Sequence, residues 1–266
     1  MKPYYEAGGI TLYHGNCLDV LPTLERVDHV ITDPPYEAEA HTKGRRTKRG
    51  NVTQADRDDR WQIIDERGTP RYESLDFEPL TECIRREAAT HMARLARRWC
   101  AVFSQAEGAH LWEAALQVAG HSRRRWCIWV KPDAQPQFSG DRPGVGYETI
   151  VTTHAQGRSQ WNGGGRVGVF TYVKSRGENG HMTEKPLPLM RELVTLFTDP
   201  GDLILDPFAG SGTTLLAAQI EGRRAIGIEL EEKWCEVAAN RLRYGTKGAA
   251  MVATGQSPLW APGGTA

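Results

Sequence analysis

Short β-branched or aromatic runs alternate with longer stretches of three-and-four spacing along this chain. Ile10, Thr11, Leu12 and Tyr13 form the first run; residues 28–32 form the second, which stops at Asp33-Pro34-Pro35. Proline fixes its own φ and cannot donate to a sheet ladder, so two in succession turn the strand into a loop. Leu80, Ile84, Ala88, Met92 and Leu95 recur at helical spacing, which predicts an amphipathic helix over residues 79–98. Residues 99–103 read as a buried strand, 106–119 as a helix ended by Gly120, and 126–130 as a strand before Pro132. Residues 148–153 and 167–173 read as further strands, fitting extra antiparallel strands or a hairpin. Toward the end come a helix at 186–197, a strand at 203–205, a helix at 213–220, a strand at 225–228 and a helix at 232–242. Such alternation is the signature of an α/β fold with a mostly parallel sheet.

Between residues 37 and 76 the periodicity is lost, and Lys43, Arg45, Arg46, Lys48 and Arg49 make a basic run inside a polar insertion. Residues 1–244 are therefore expected to form one domain carrying that insertion, and 245–266, rich in Gly, Ala and Pro, a flexible tail. With 266 residues, 39% hydrophobic and 25% charged, the composition excludes a collagen-like, disulfide-dense or wholly disordered chain. Lys and Arg total 33, as do Asp and Glu, so affinity for a polyanion must come from local clusters rather than a global field. The basic run is the strongest such cluster; its plainer reading is a solvated loop. Cys17, Cys83, Cys100, Cys127 and Cys235 make no close CxxC pair, which argues against a zinc ribbon and for reduced thiols. No apolar stretch reaches membrane-spanning length and no apolar signal core is present, so a cytoplasmic protein is expected.

Two constellations carry candidate chemistry. Asp206-Pro207-Phe208-Ala209-Gly210-Ser211-Gly212-Thr213-Thr214 lies where a strand hands over to a helix. Glycines there admit a ligand close to the backbone, and a helix N-terminus offers N–H groups to an anion. Glu229 follows Asp206 by 23 residues at the end of the next strand, where an acidic side chain accepts ribose hydroxyls in nucleotide-binding sheets. Together they describe an adenosine-type pocket. Leu215 stands where GxGxxG would place its third glycine, and no lysine follows Gly212, so dinucleotide and P-loop readings lose ground. The second constellation is Asp33-Pro34-Pro35-Tyr36: a carboxylate acceptor, a stiffened loop carbonyl and an aromatic face. It suits a planar ring bearing an amino group; the plainer alternative is a rigid turn with a surface tyrosine.

Asp-Pro-Pro-Tyr at 33–36 together with Phe-Ala-Gly-Ser-Gly-Thr-Thr at 208–214 resembles the amino-methyltransferases of DNA, which use S-adenosylmethionine to methylate adenine N6 or cytosine N4. Residues 15–21 look like the family's segment before the catalytic strand. His181-Met182-Thr183-Glu184-Lys185-Pro186 looks like the segment before its cofactor half. With the catalytic motif first, the order is that of the β-type group. The resemblance implies a seven-stranded, mostly parallel Rossmann-like sheet with helices on both faces. It implies that Asp33 and Pro34, in the loop with Pro35 and Tyr36, perform the catalysis, Tyr36 stacking on a flipped base. For the cofactor it implies Asn16 and Cys17 near the adenine and Glu229 on the ribose. Asp206, Phe208, Ala209, Gly210, Ser211, Gly212 and Thr213 fall around the methionine portion, close to Asp33. Lys185 falls at the carboxylate end, with His181 and Thr183 nearby; those last two have a bland alternative as capping or packing residues.

By the same resemblance, Lys43, Arg45, Arg46, Lys48 and Arg49 meet double-stranded DNA, and target recognition falls in about 135–180 or the insertion. Adenine is favoured because the motif begins with Asp. Cytosine N4, an RNA or protein-amide substrate, and an inactive DNA-binding relative are the alternatives. No metal is implied. The sequence leaves open whether the chain works as a homodimer and whether a restriction nuclease accompanies it.

Overall fold

In the computed structural model, which describes residues 1–35, 63–64, 70–71, 80–137, 140–175 and 184–253, strand and helix alternate as the sequence pattern demands. The elements in order are β1 (Tyr5–Ala7), β2 (Ile10–His14), α1 (Cys17–Val20), β3 (His29–Thr32), β4 (Ile63–Ile64), β5 (Pro70–Arg71), α2 (Glu82–Leu95), β6 (Trp99–Ser104) and α3 (Ala106–Val118). They continue with β7 (Ser122–Arg123), β8 (Cys127–Val130), β9 (Tyr147–His154), β10 (Val169–Thr171), α4 (Leu187–Phe197), β11 (Leu203–Asp206), α5 (Thr213–Ile220), β12 (Arg224–Glu229) and α6 (Glu232–Ala253). Two compact units result, Met1–Pro34 with Glu82–Ala266, and Pro35–Thr81. Within the second, β4 and β5 pair antiparallel, Ile63 opposite Arg71.

The first unit is built on one sheet of order β1-β2-β12-β11-β3-β6-β9-β8-β10, with β7 beside β9. β2, β12, β11, β3 and β6 run parallel, while β9 is antiparallel to both β6 and β8. Seven of these strands form the expected mostly parallel sheet; β1, β7 and β10, two or three residues each, extend it to ten. β11 and β12 come last in sequence yet lie between β2 and β3. β2, from early in the sequence, and β12, from late in it, thereby become neighbours.

Every residue of β3 and β6 is buried, as expected of strands covered on both faces. Ile31, Ala101 and Phe103 join one apolar cluster with Leu189 and Leu193 of α4, Leu215 of α5 and Ala238 of α6. On the opposite face the Cys100 thiol reaches the Met92 carbonyl of α2 at 3.9 Å. Helices thus sandwich the sheet.

Three local details depart from the sequence pattern. β1 turns into β2 through Gly8 and Gly9, both at positive φ (59° and 80°), the backbone a tight hairpin requires. The 167–173 run makes no hairpin with β9, whose edges are taken by β6 and β8. It adds instead in parallel to the outer edge of β8, Phe170 opposite Trp129. Finally, helical backbone resumes after a break at Gly245 (φ 72°, ψ −174°) and continues to Ala253, beyond the expected end at 242.

Candidate active site at the carboxyl edge of the sheet

Parallel strands present their carboxyl ends to one edge, where ligands of open α/β sheets bind. β3 ends at Thr32 before Asp33, β11 at Asp206, β12 at Glu229, and β2 at His14 before Gly15 and Asn16. Because β9 runs the other way, its first residues, Tyr147 and Glu148, reach the same edge as Lys131, which follows β8.

In the half built from the end of the chain, Asp206 is buried. Its Oδ1 accepts from the Thr32 hydroxyl at 2.6 Å and from the Phe208 N–H at 3.1 Å. Burial pushes its pKa up to about 6; bonds from Thr214, Thr32 and Phe208 oppose that, and the charge of Asp33 adds to it. The chain then turns through Ala209, whose N–H donates to the Ile228 carbonyl at 2.9 Å, to Gly212, the N-cap of α5. Gly212 has φ 79°, and a Cβ there would stand 2.7 Å from that of Ala238, so only glycine fits. Glu229 grips this turn. One of its oxygens accepts the Gly210 N–H and the other the Glu231 N–H, each at 2.8 Å. Burial raises the Glu229 pKa against those two bonds. The Gly15 N–H donates to the Glu229 carbonyl at 2.8 Å, tying the β2 loop to the same place. There Asn16 caps α1, its side chain accepting from the Leu18 N–H at 2.9 Å. Cys17 is buried, its thiol pushed up to about 11 by desolvation.

Sequence reasoning missed the residue that holds the glycine turn from beneath. Arg241 of α6 is 1% exposed and donates to the Ser211 carbonyl (2.7 Å), the Ser211 hydroxyl (2.9 Å) and the Thr213 hydroxyl (3.0 Å). Its other terminal nitrogen lies 2.6 Å from Glu184, which also accepts from the Thr213 hydroxyl at 3.3 Å. A signal was present: Arg241 falls among the buried positions Cys235, Ala238, Ala239 and Leu242 of α6, where a charge needs a partner.

In the other half, Asp33 is half-buried. Its Oδ2 forms an ion pair with Lys185, and its Oδ1 is buried with no hydrogen-bond partner among the described residues. Lys185 is 5% exposed and stands 3.4 Å from Glu148, with the Phe103 ring centroid 5.1 Å away. Glu148 pairs in turn with Lys131, which lies over Trp129. Burial pushes the Asp33 pKa up to about 6, opposed by Lys185 and reinforced by Glu148. Neither Glu148 nor Lys131 was among the sequence candidates; the signal was a lone acid opening a β-branched run and a lysine between a strand and Pro132.

Thr32 and Asp206, 174 residues apart, join the two halves, so Asp33, Lys185, Asp206 and Glu229 share one edge with Asn16, Cys17 and the glycine turn. Pro34 is buried beside Asp33, and Pro35 opens the second unit. Tyr36, Lys43, Arg45, Arg46, Lys48, Arg49, His181 and Thr183 lie outside the described residues. Among the described residues no group of His, Cys, Asp or Glu could hold a metal ion, and no helix is long and apolar enough to cross a membrane. A buried carboxylate oxygen without a partner among the described residues, on the same sheet edge as two further carboxylates, can accept a hydrogen bond from an N–H donor.

Residues 27–240 match the family model described as DNA methylase. The type II methyltransferase M.HinfI of Haemophilus influenzae is 26% identical over 255 residues, covering 88% of this chain and 68% of that protein. Two other type II methyltransferases match over only 47% of their own length, so the chain spans about half of each. Among solved structures, the M1.HpyAVI–SAM complex superposes with a TM-score of 0.65 at 22% identity, over 88% of this chain and 98% of that one. The PvuII DNA methyltransferase, cytosine-N4-specific, gives 0.68 at 16% identity over 96% of each.

Proposed function

The chain belongs to the DNA methylase family of N6 and N4 amino-methyltransferases, and from that premise we propose that it methylates the exocyclic N6 amine of adenine at a specific site in double-stranded DNA. S-adenosylmethionine is the cofactor, and when bound it supplies a methyl group made electrophilic by a sulfonium cation. The residues present fit such a ligand: Asp206 and Glu229 are carboxylates at the ends of the adjacent strands β11 and β12, with the glycine turn between them in sequence and its Gly210 N–H held by Glu229. In this reading Glu229 takes the ribose hydroxyls and Asn16 and Cys17 border the adenine. Asp206, Phe208, Ala209, Gly210, Ser211, Gly212 and Thr213 enclose the methionine portion, with His181 and Thr183 near it. Lys185 serves Asp33.

One observation carries the assignment: the Asp33 Oδ1, buried and without a partner among the described residues, in the loop that follows β3, the strand next to β11 and its Asp206. A buried acceptor left unpaired is costly and calls for a ligand donor. An exocyclic amine is a weak nucleophile because its lone pair is delocalised into the ring. When Asp33 and the Pro34 carbonyl accept its two hydrogens, the nitrogen bends toward tetrahedral geometry and the lone pair is released. Catalysis is then orientation and electrostatics. Extruding the base costs a few kcal/mol, offset by stacking on Tyr36. Lys43, Arg45, Arg46, Lys48 and Arg49 neutralise phosphates, so binding is salt-dependent. Recognition lies in about 135–180 or the insertion. A DNA substrate sets the enzyme in the cytoplasm, with a homodimer and a cognate restriction nuclease as partners to test.

Cytosine N4 is the second reading, favoured by the likeness to the cytosine-N4-specific PvuII enzyme. Incubation with S-adenosylmethionine and unmethylated genomic DNA, followed by nucleoside mass spectrometry, separates the two. N6-methyladenine supports the proposal; N4-methylcytosine transfers the mechanism to the other base; no methylated nucleoside overturns it.

A further inference from the structure

Four charges of alternating sign run inward from the catalytic loop: Asp33, Lys185, Glu148 and Lys131. Their scaffolding is unequal. Asp33 leaves the end of β3 in a loop, whereas Glu148 sits in β9, paired opposite Trp129 of β8. The Lys131 N–H donates to the Gly146 carbonyl at 2.8 Å, closing that hairpin beside it. Lys185 is flanked by fixed neighbours. It follows Glu184, fixed by Arg241 and Thr213, and precedes Pro186, the N-cap of α4. The anchored members of this series are therefore Glu148, within β9, and Lys185, between Glu184 and the N-cap of α4, and the member they steer is the carboxylate that Lys185 touches.

We propose that Glu148 is a positioning residue for methyl transfer, acting through Lys185 to keep one oxygen of Asp33 occupied and the other open to the substrate amine. The inference rests on the role given to Asp33 above. Its physical basis is the division of one ammonium between two carboxylates. With Glu148 drawing Lys185 from the far side at 3.4 Å, the ammonium meets only Oδ2 of Asp33, and Oδ1 stays unpartnered among the described residues. Without that second anion the ammonium would settle across both Asp33 oxygens and occupy the acceptor the amine needs. Glu148 never meets substrate or cofactor in this scheme, and it is not a base.

Glu148→Gln keeps the side chain's volume and removes its charge. Misdirection of a reacting group costs roughly 100-fold in rate. The expected result is a kcat lowered by about that factor, with the KM for S-adenosylmethionine and the melting temperature close to wild type. A partner group gives a further signature, because residues acting as one unit are non-additive: in a Lys185→Met background, Glu148→Gln should slow the enzyme no further. Wild-type kcat in Glu148→Gln, or a full additional loss in the Lys185→Met background, overturns the proposal. If Glu148→Gln loses cofactor binding altogether, Glu148→Asp, which keeps the charge but shortens its reach, replaces it: lowered kcat with intact cofactor affinity is expected, and unchanged kcat refutes. Wild type and Asp33→Ala are run alongside. An inactive wild type, or an active Asp33→Ala, would strike at the role of Asp33 itself; failure confined to the Glu148 variants would strike only at the positioning.

Discussion

Asp206→Asn should make this protein more stable while weakening its hold on the cofactor. The carboxyl is buried, and its pKa is pushed from an ordinary 3.8 to about 6, chiefly by desolvation. Since one pKa unit is worth about 1.4 kcal/mol, ionised Asp206 costs the fold about 3 kcal/mol at neutral pH. The sign follows from the direction. A folded pKa above the unfolded one means that folding favours the proton, so the cost is absent below about pH 4, grows between 4 and 6, and is complete above that. Asparagine fits the site: its Oδ1 can keep the bonds from Thr32 and Phe208, and its amide can donate to the Thr214 hydroxyl. At about 2–4 °C per kcal/mol for a domain of this size, the variant should melt roughly 6–12 °C above wild type at pH 7.5. Thermal melts from pH 4.5 to 8 should show that gap close as pH falls, and calorimetry should show reduced affinity for S-adenosylmethionine. A lower melting temperature in the variant, or a gap independent of pH, would mean that ionised Asp206 does not destabilise the fold. A site that destabilises its own fold to hold a ligand is an expected exchange.

Glu229→Ala should lose cofactor affinity by calorimetry and loosen the turn at Gly210, whose N–H it accepts at 2.8 Å; unchanged affinity would count against the ribose assignment. Arg241→Met removes the cation from a buried pair with Glu184 and from three oxygens of the glycine turn. The cost should be roughly 3–5 kcal/mol, read as a drop of about 10 °C in the melting temperature, and a drop of under 2 °C would show that the turn holds itself.

Asp33 and Asp206 were legible because each stands where an apolar run is broken by Pro, directly after β3 and at the end of β11, and Glu229 because it closes the next short apolar run, β12. Their proximity was legible only through the resemblance, since β11 and β12 insert between strands read far earlier in the chain. α1 has four residues and β1 three, too few to establish a period. Asn16 was expected against the adenine; the structure also gives it a local task, capping α1. Lys185 was expected beside the cofactor's carboxylate, and its ammonium lies on Asp33, 152 residues away. No spacing rule reaches across such a separation. Glu148 escaped for a related reason: the antiparallel course of β9 brings its first residues to an edge otherwise formed by strand ends, where Glu148 meets Lys131 just after β8.

In the proposed function, Asp33 performs the chemistry without being needed to hold the cofactor. Transfer of labelled methyl groups from S-adenosylmethionine to unmethylated DNA, measured for wild type and Asp33→Ala with cofactor affinity determined in parallel, tests it most directly. Methylated DNA from wild type alone, with similar cofactor affinity in both proteins, is the expected result. Near-normal turnover by Asp33→Ala would contradict it.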